Sequence, residues 1–169
     1  MNLDLRTNAQ LQIKIYRNIK NVKNLKQKLI SGELKCCMIK PSLIYDPFQI
    51  AVAANKALAS AKLITKTIFS EILFNLSVSK HITRSLQTFG IDDNDENILV
   101  VTISQNGEDN SESVYSQIDG EEVELSQLKN LSDLDNIKNV YKISEKESLT
   151  IPLIDSIVSR IATKDFLSH

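Results

Sequence analysis

Residues 44–62 read IYDPFQIAVAANKALASAK, and this stretch constrains the fold more than any other in the chain. Asp46 is a strong helix N-cap, and Pro47 takes the first helical position, where a missing N–H costs nothing. Ile50, Ala53, Ala54, Ala57 and Leu58 then recur at helical spacing. Because alanine fills most of that face, the backbone of a partner can approach closely. Asn55 and Lys56 interrupt an otherwise small, apolar surface.

A chain of 169 residues, 42% apolar and 24% charged, can bury one sizeable core and has ordinary globular composition. No apolar run is long enough to cross a bilayer, so no membrane partner is expected. The N-terminal MNLDLRTNAQ lacks the apolar stretch of a signal peptide, which places the expectation in cytoplasm and nucleus. In such a compartment the adjacent Cys36 and Cys37 are read as reduced, buried thiols. The net charge of −1 hides an asymmetry. Residues 1–90 carry 14 Lys/Arg and 4 Asp/Glu, whereas residues 91–169 carry 6 and 17. The two halves either attract each other within the fold or offer one face to a polyanion and another to a different partner.

Leu11, Ile13 and Ile15 alternate with polar residues as in a half-buried strand. Val22, Leu25 and Leu29 mark an amphipathic helix that Gly32 stops. Residues 34–39 read as a second short strand. After the alanine-rich helix, Ile68, Ile72, Leu73 and Leu76 fit a buried helix with Glu71 partly sheltered. Ser79 is expected to cap a further helix that Gly90 closes as a C′ residue, the position where glycine takes the left-handed turn. Residues 98–103, ILVVTI, form the best strand in the chain: continuous, β-branched and central. The loop QNGEDNSES follows, with short elements around 114–118 and 123–128. Residues 137–141 read as a short helix running into an edge strand at Lys142 and Ile143. A last helix is expected from Ser148 onward, with Pro152 in its first turn. The fold class is α/β (α+β): a single domain spanning 1–169, with a small, mostly antiparallel sheet flanked by helices.

Catalytic chemistry finds little support. Four glycines cannot build a phosphate-binding loop or a dinucleotide fingerprint. The pattern after Asp92 lacks the glycine and glutamate of a calcium-binding loop. No G-x-S-x-G elbow is present. His81 and His169 cannot form a clustered metal site. No metal, cofactor or catalytic residue is therefore expected. A cryptic enzyme centred on His81 is the least favoured function.

The ordered run DPFQ, AANKA, EILFNLS and FGI, with residues 149–167 as a closing helix ending ATKDFL, resembles the TPRKB family. The likeness covers nearly the whole chain, is strongest over residues 40–91, and is weakest over 104–125. Members are the small kinase-binding subunits of the KEOPS (EKC) complex. The resemblance implies a small sheet flanked by helices, no catalysis, and a PRPK-type kinase/ATPase as partner. Through that kinase it implies an indirect link to the OSGEP-type transferase, which makes threonylcarbamoyl-adenosine in tRNA. It also implies help in tRNA recruitment through the 3′ CCA end. The alternative is a protein–protein adaptor for a small kinase with no RNA contact.

A site for an unpaired RNA end needs cations for phosphates and surfaces for unstacked bases. The candidates are Asn55, Lys56, Lys62, Lys66, Thr67, Lys80, His81 and Arg84, with small side chains around Asn55 admitting a nucleotide and the helix start near Ser79 suited to an anion. The lysines at 20, 23, 26 and 28 either extend that surface or keep a helix soluble. For the kinase the candidate is the C-terminal helix, through Ile154, Ile157, Val158 and Ile161. Ile157 and Val158 are adjacent, so these four span more than one stripe, and spacing leaves open which of them face outward.

Overall fold

The computed structural model describes the backbone of residues 2–4 and all of residues 8–166. Five strands form one antiparallel sheet: β1 (Asn2–Asp4), β2 (Ala9–Arg17), β3 (Cys37–Ile39), β4 (Ile98–Gln105) and β5 (Glu121–Val123). Their order is β1-β2-β4-β3, with β5 also paired to β2. The ILVVTI strand, β4, is central as its composition requires. It pairs with β2, Ile15 opposite Leu99 and Ile13 opposite Val101, and with β3, Ile39 opposite Leu99.

This register sends alternate side chains to two cores. Leu11, Ile15, Cys37, Ile39, Leu99 and Val101 face the larger one. Tyr16, Met38, Ile98 and Val100 face the smaller. The larger core is closed by α2 (Pro47–Ala59), α3 (Ile68–Leu76), α4 (Ile82–Phe89), α7 (Leu134–Val140) and α9 (Leu153–Thr163). The smaller lies under α1 (Val22–Ser31) and α5 (Ser111–Tyr115). The short helices α6 (Leu128–Leu131) and α8 (Glu145–Thr150) complete the order. The fold is the expected α/β class. The cysteines are both buried and free, and burial pushes the Cys36 thiol up to about 12.

Local chemistry accounts for the ends of the key helices. The Asp46 carboxylate accepts from the Phe48 N–H at 2.8 Å, and Pro47 opens α2. Gly32 closes α1 with φ of 80°, a left-handed turn in which a side chain would strain the backbone. Buried Tyr141 ties three parts of the larger core together. Its hydroxyl donates to the Leu76 carbonyl at 2.6 Å and accepts from Gln49 Nε2 at 2.8 Å.

Four expectations need correction. Ser79 does not cap α4; His81 does, and the Ser79 hydroxyl accepts from the His81 N–H instead. Gly90 is not left-handed, with φ of −72°. It is needed for close approach, because a Cβ there would lie 2.5 Å from the Leu86 carbonyl oxygen. No edge strand forms at Ile143: Lys142 turns the chain with φ of 57°, and buried Ile143 enters the core. The final helix is broken. Pro152 forces Ile151 into an extended conformation, so α8 ends at Thr150 and α9 begins at Leu153. Leu167 and His169 lie outside the described residues.

Much of the charge asymmetry is spent internally. Lys14, Arg17, Lys26, Lys40 and Lys56 reach acids of the second half: Glu122, Glu121, Asp93, the pair Asp92 and Asp95, and Asp165. The Lys40 ammonium beside Asp92 holds that carboxyl below its ordinary range.

Candidate functional site

The site follows from how α2, α3 and α4 are joined. The alanines of α2 do not wait for an outside partner. Ala51, Ala53, Ala54 and Ala57 are all buried, and Asn75 of α3 donates to the Ala53 carbonyl at 3.1 Å. The close backbone approach is made within the chain, so these alanines admit no nucleotide. Asn55 is half-buried, and its Oδ1 has no hydrogen-bond partner among the described residues. Lys56 points to the end of α9. Its ammonium donates to the Ile161 carbonyl at 3.1 Å and pairs with Asp165 at 3.1 Å.

The connection from α2 to α3 carries Lys62 and Lys66, both exposed. Glu71, which reads in the sequence as only partly sheltered, is 3% exposed and holds this loop in place. Its Oε2 accepts from the N–H groups of Ile64 and Thr65, at 2.8 and 3.2 Å, and from the Thr65 hydroxyl. Thr67 is committed as well. Its hydroxyl accepts from the Ser70 N–H, and the Ser70 hydroxyl receives the Thr67 N–H, each at 3.1 Å, a reciprocal capping box.

At the other end of α3 stand Lys80, His81 and Arg84, all exposed. The His81 imidazole is an N-cap, its Nδ1 accepting from the Arg84 N–H at 3.2 Å. The eight candidates therefore do not form one cluster. Lys62, Lys66 and Thr67 precede α3, and Lys80, His81 and Arg84 follow it, separated by a nine-residue helix about 13 Å long. Lys62, Lys66, Lys80 and Arg84 make no ion pair among the described residues, unlike Lys56.

One residue of this region was missed. Lys164, 1% exposed, reaches from the turn after α9 to donate to the Phe74 carbonyl near the end of α3, with its ammonium over the Phe74 ring. Burial, then the charge of Lys56, pushes its pKa down to about 7; Lys80 adds to this, and Asp165 and Glu71 oppose it. Lys56, Lys80 and Lys164 thus share one neighbourhood. The signal lay in spacing: Ile157, Ile161 and Lys164 form one helical stripe, i, i+4 and i+7.

The lysines of α1 lie across the sheet from this face, because Val22 and Leu25 pack in the smaller core. They do not extend it. Lys28 also donates to Gln117.

On α9 the burial pattern separates the four kinase candidates. Ile157 and Ile161 are 0% and 1% exposed and belong to the core, so a surface role for them is corrected. Ile154 and Val158, also four residues apart, are only half-buried. Leu149 and Ile151, just before α9, are exposed. The bidentate pair of Arg160 with Glu147, at 2.6 and 2.8 Å, ties α9 to α8 and holds the Glu147 carboxyl down at about 2.

Two shallow depressions of about 240 and 250 Å³, lined in part by residues 104–109 and 94–97, contain none of the candidates. Among the described residues no three His, Cys, Asp or Glu are placed to hold a metal ion, and no helix is long and apolar enough to cross a membrane.

The model of a family described as "Kinase binding protein CGI-121" matches residues 16–165, from the end of β2 through the turn after α9. This chain belongs to the CGI-121 family. Among curated relatives, it is 35% identical to the EKC/KEOPS complex subunit TPRKB of Danio rerio, over 89% of each chain. It is 30% identical to the EKC/KEOPS complex subunit cgi121 of Aspergillus fumigatus, over 90% of each. The corresponding subunit of Schizosaccharomyces pombe is 29% identical over 98% of this chain and 99% of its own. The resemblance carried by DPFQ, AANKA, EILFNLS and FGI is thereby borne out. The CGI-121 family is named for binding a kinase, not for a reaction.

Proposed function

We propose that this chain is a non-catalytic, kinase-binding subunit of a KEOPS/EKC complex, engaging a PRPK-type kinase and, through it, the OSGEP-type transferase. Family membership over nearly the whole chain carries this reading. The kinase contact is assigned to the outer side of α9, Ile154 and Val158, continued by Leu149 and Ile151. These apolar side chains remain accessible once the core is filled. Val158→Asp, which keeps the core intact, should abolish capture of the kinase from a native lysate while leaving the fold unchanged. Unchanged capture would move the contact elsewhere.

The finer reading is that the α2–α4 face contacts the tRNA 3′ end. Its support is the set of Lys62, Lys66, Lys80 and Arg84, cations left without acids in a chain whose other half is rich in them. Phosphate contacts release counterions, so neutralising these four must weaken tRNA binding and flatten its salt dependence, by about 0.7 in log–log slope per contact with a single strand. The adaptor reading without RNA draws on the internal commitments of Lys56, Thr67 and His81. It prevails if the fourfold variant binds tRNA as the parent does at every salt concentration.

A further inference from the structure

We propose that Asp165 is an internal stand-in for phosphate: its carboxylate holds Lys56 in the free chain and gives way there to a phosphate of single-stranded RNA. This deepens, and rests on, the reading of the α2–α4 face as an RNA contact. The observations are specific to the end of α9. Asp165 Oδ2 lies 3.1 Å from Lys56 Nζ. A carboxylate offers a lysine much what a phosphate does, two anionic oxygens on one centre. The lysine side chain is only 22% exposed, whereas that of Asp165 is 52% exposed, so the acid can leave without uncovering core.

The surrounding charges single out the same residue. The charges of Lys56 on α2 and Lys80 before α4 both act on the Lys164 ammonium beyond α9. Two carboxylates, Asp165 and Glu71, oppose them at Lys164. Glu71 is buried under the Ile64 and Thr65 amides and cannot move without unmaking the loop. Asp165 is the one at the surface. Next to it, Phe166 is 85% exposed, an aromatic side chain on which an unstacked base can rest. Lys164 anchors the start of the same turn to α3. Release of Asp165 therefore leaves both α9 and the Lys164 anchor in place. Exchanging one anion for another keeps Lys56 paired throughout.

The test uses the full chain and a fluorescein-labelled single-stranded RNA oligonucleotide, with anisotropy read at several salt concentrations. Asp165→Asn removes one charge beside Lys56. Two charges at about 4 Å in water interact by about 1 kcal/mol, which converts to roughly five-fold tighter binding at low salt. Lys56→Gln should weaken binding, and in that background Asp165→Asn should gain less than two-fold. Circular dichroism and thermal melting confirm that each variant is folded. If Asp165→Asn binds no tighter while Lys56→Gln still weakens binding, the stand-in role is overturned and the RNA face stands. If the gain is the same with and without Lys56, it is general removal of negative charge, and the stand-in role is again overturned. If neither residue matters, the RNA face itself has failed at Lys56.

Discussion

Replacing Glu71 should loosen the loop that carries Lys62 and Lys66, and the size of the effect can be worked out atom by atom. Oε2 accepts three of the hydrogen bonds, from the Ile64 N–H, the Thr65 N–H and the Thr65 hydroxyl, while Oε1 accepts only a second contact from the Ile64 N–H at 3.1 Å. Glutamine can place its carbonyl where Oε2 sits and so keep most of this geometry without the charge. Bonds to a charged acceptor are worth about 1.5–3 kcal/mol and neutral ones about 1, so Glu71→Gln should cost about 1–1.5 kcal/mol. Alanine removes the acceptor of both amide N–H groups. Part of that loss is returned by water, since Ile64 is exposed, which leaves about 3 kcal/mol. With a urea m-value of about 2 kcal/mol/M, these become midpoint shifts of roughly 0.6 and 1.5 M. Urea denaturation reads the global cost. Hydrogen exchange at the Ile64 and Thr65 amides reads the local one, and both should lose protection first. If glutamine and alanine cost the same small amount, under about 0.5 kcal/mol, and exchange at these amides is unchanged, the carboxylate is not what holds the loop.

Three further outcomes are expected. Ile157→Asp should fail to fold stably, because a carboxylate at a 0% exposed position has no partner there, whereas Val158→Asp should lower stability by less than about 1 kcal/mol in thermal melts. Tyr141→Phe should cost about 1–3 kcal/mol, since it leaves the buried Leu76 carbonyl and Gln49 amide without their shared hydroxyl. Lys164 binds its proton less tightly folded (pKa about 7) than unfolded (10.5), so the unfolded chain holds more protons between those values and stability should rise with pH across that window. Lys164→Met should flatten that rise in denaturation series run from pH 7 to 10.

Local rules made part of this structure legible and hid the rest. Asp46 with Pro47, the left-handed stop at Gly32 and the β-branched run of β4 each act within a few residues, and each appears where its chemistry requires. Pro152 acts locally too. The expectation failed there by treating a proline that breaks a helix as one tolerated in its first turn. The candidate site was less legible because its assembly depends on distant pairs. Nothing near Lys56 in sequence shows that Asp165 neutralises it, 109 positions later. Glu71 and Lys164 are charged residues on otherwise apolar stripes, and their full burial is legible only once the amides that donate to Glu71 and the carbonyl that accepts from Lys164 are seen. Conversely, the alanines of α2 read as a surface for a partner because their true neighbour, α3, lies beyond a loop.

The sheet order bears on how the chain is made. Its central pair joins Ile15 to Leu99, and Lys56 donates to a carbonyl 105 residues further on. A nascent chain emerging from its N-terminus cannot form the middle of its sheet until β4 has been synthesised, and α2 stays uncovered on one side until α9 arrives. Folding governed by such remote contacts is slow and leaves apolar surface open to aggregation in the meantime. A premature stop before α9 would thus do more than remove a docking surface. It would take Ile157 and Ile161 out of the larger core and open that core to water, and the truncated chain would be a substrate for quality control rather than a weaker subunit.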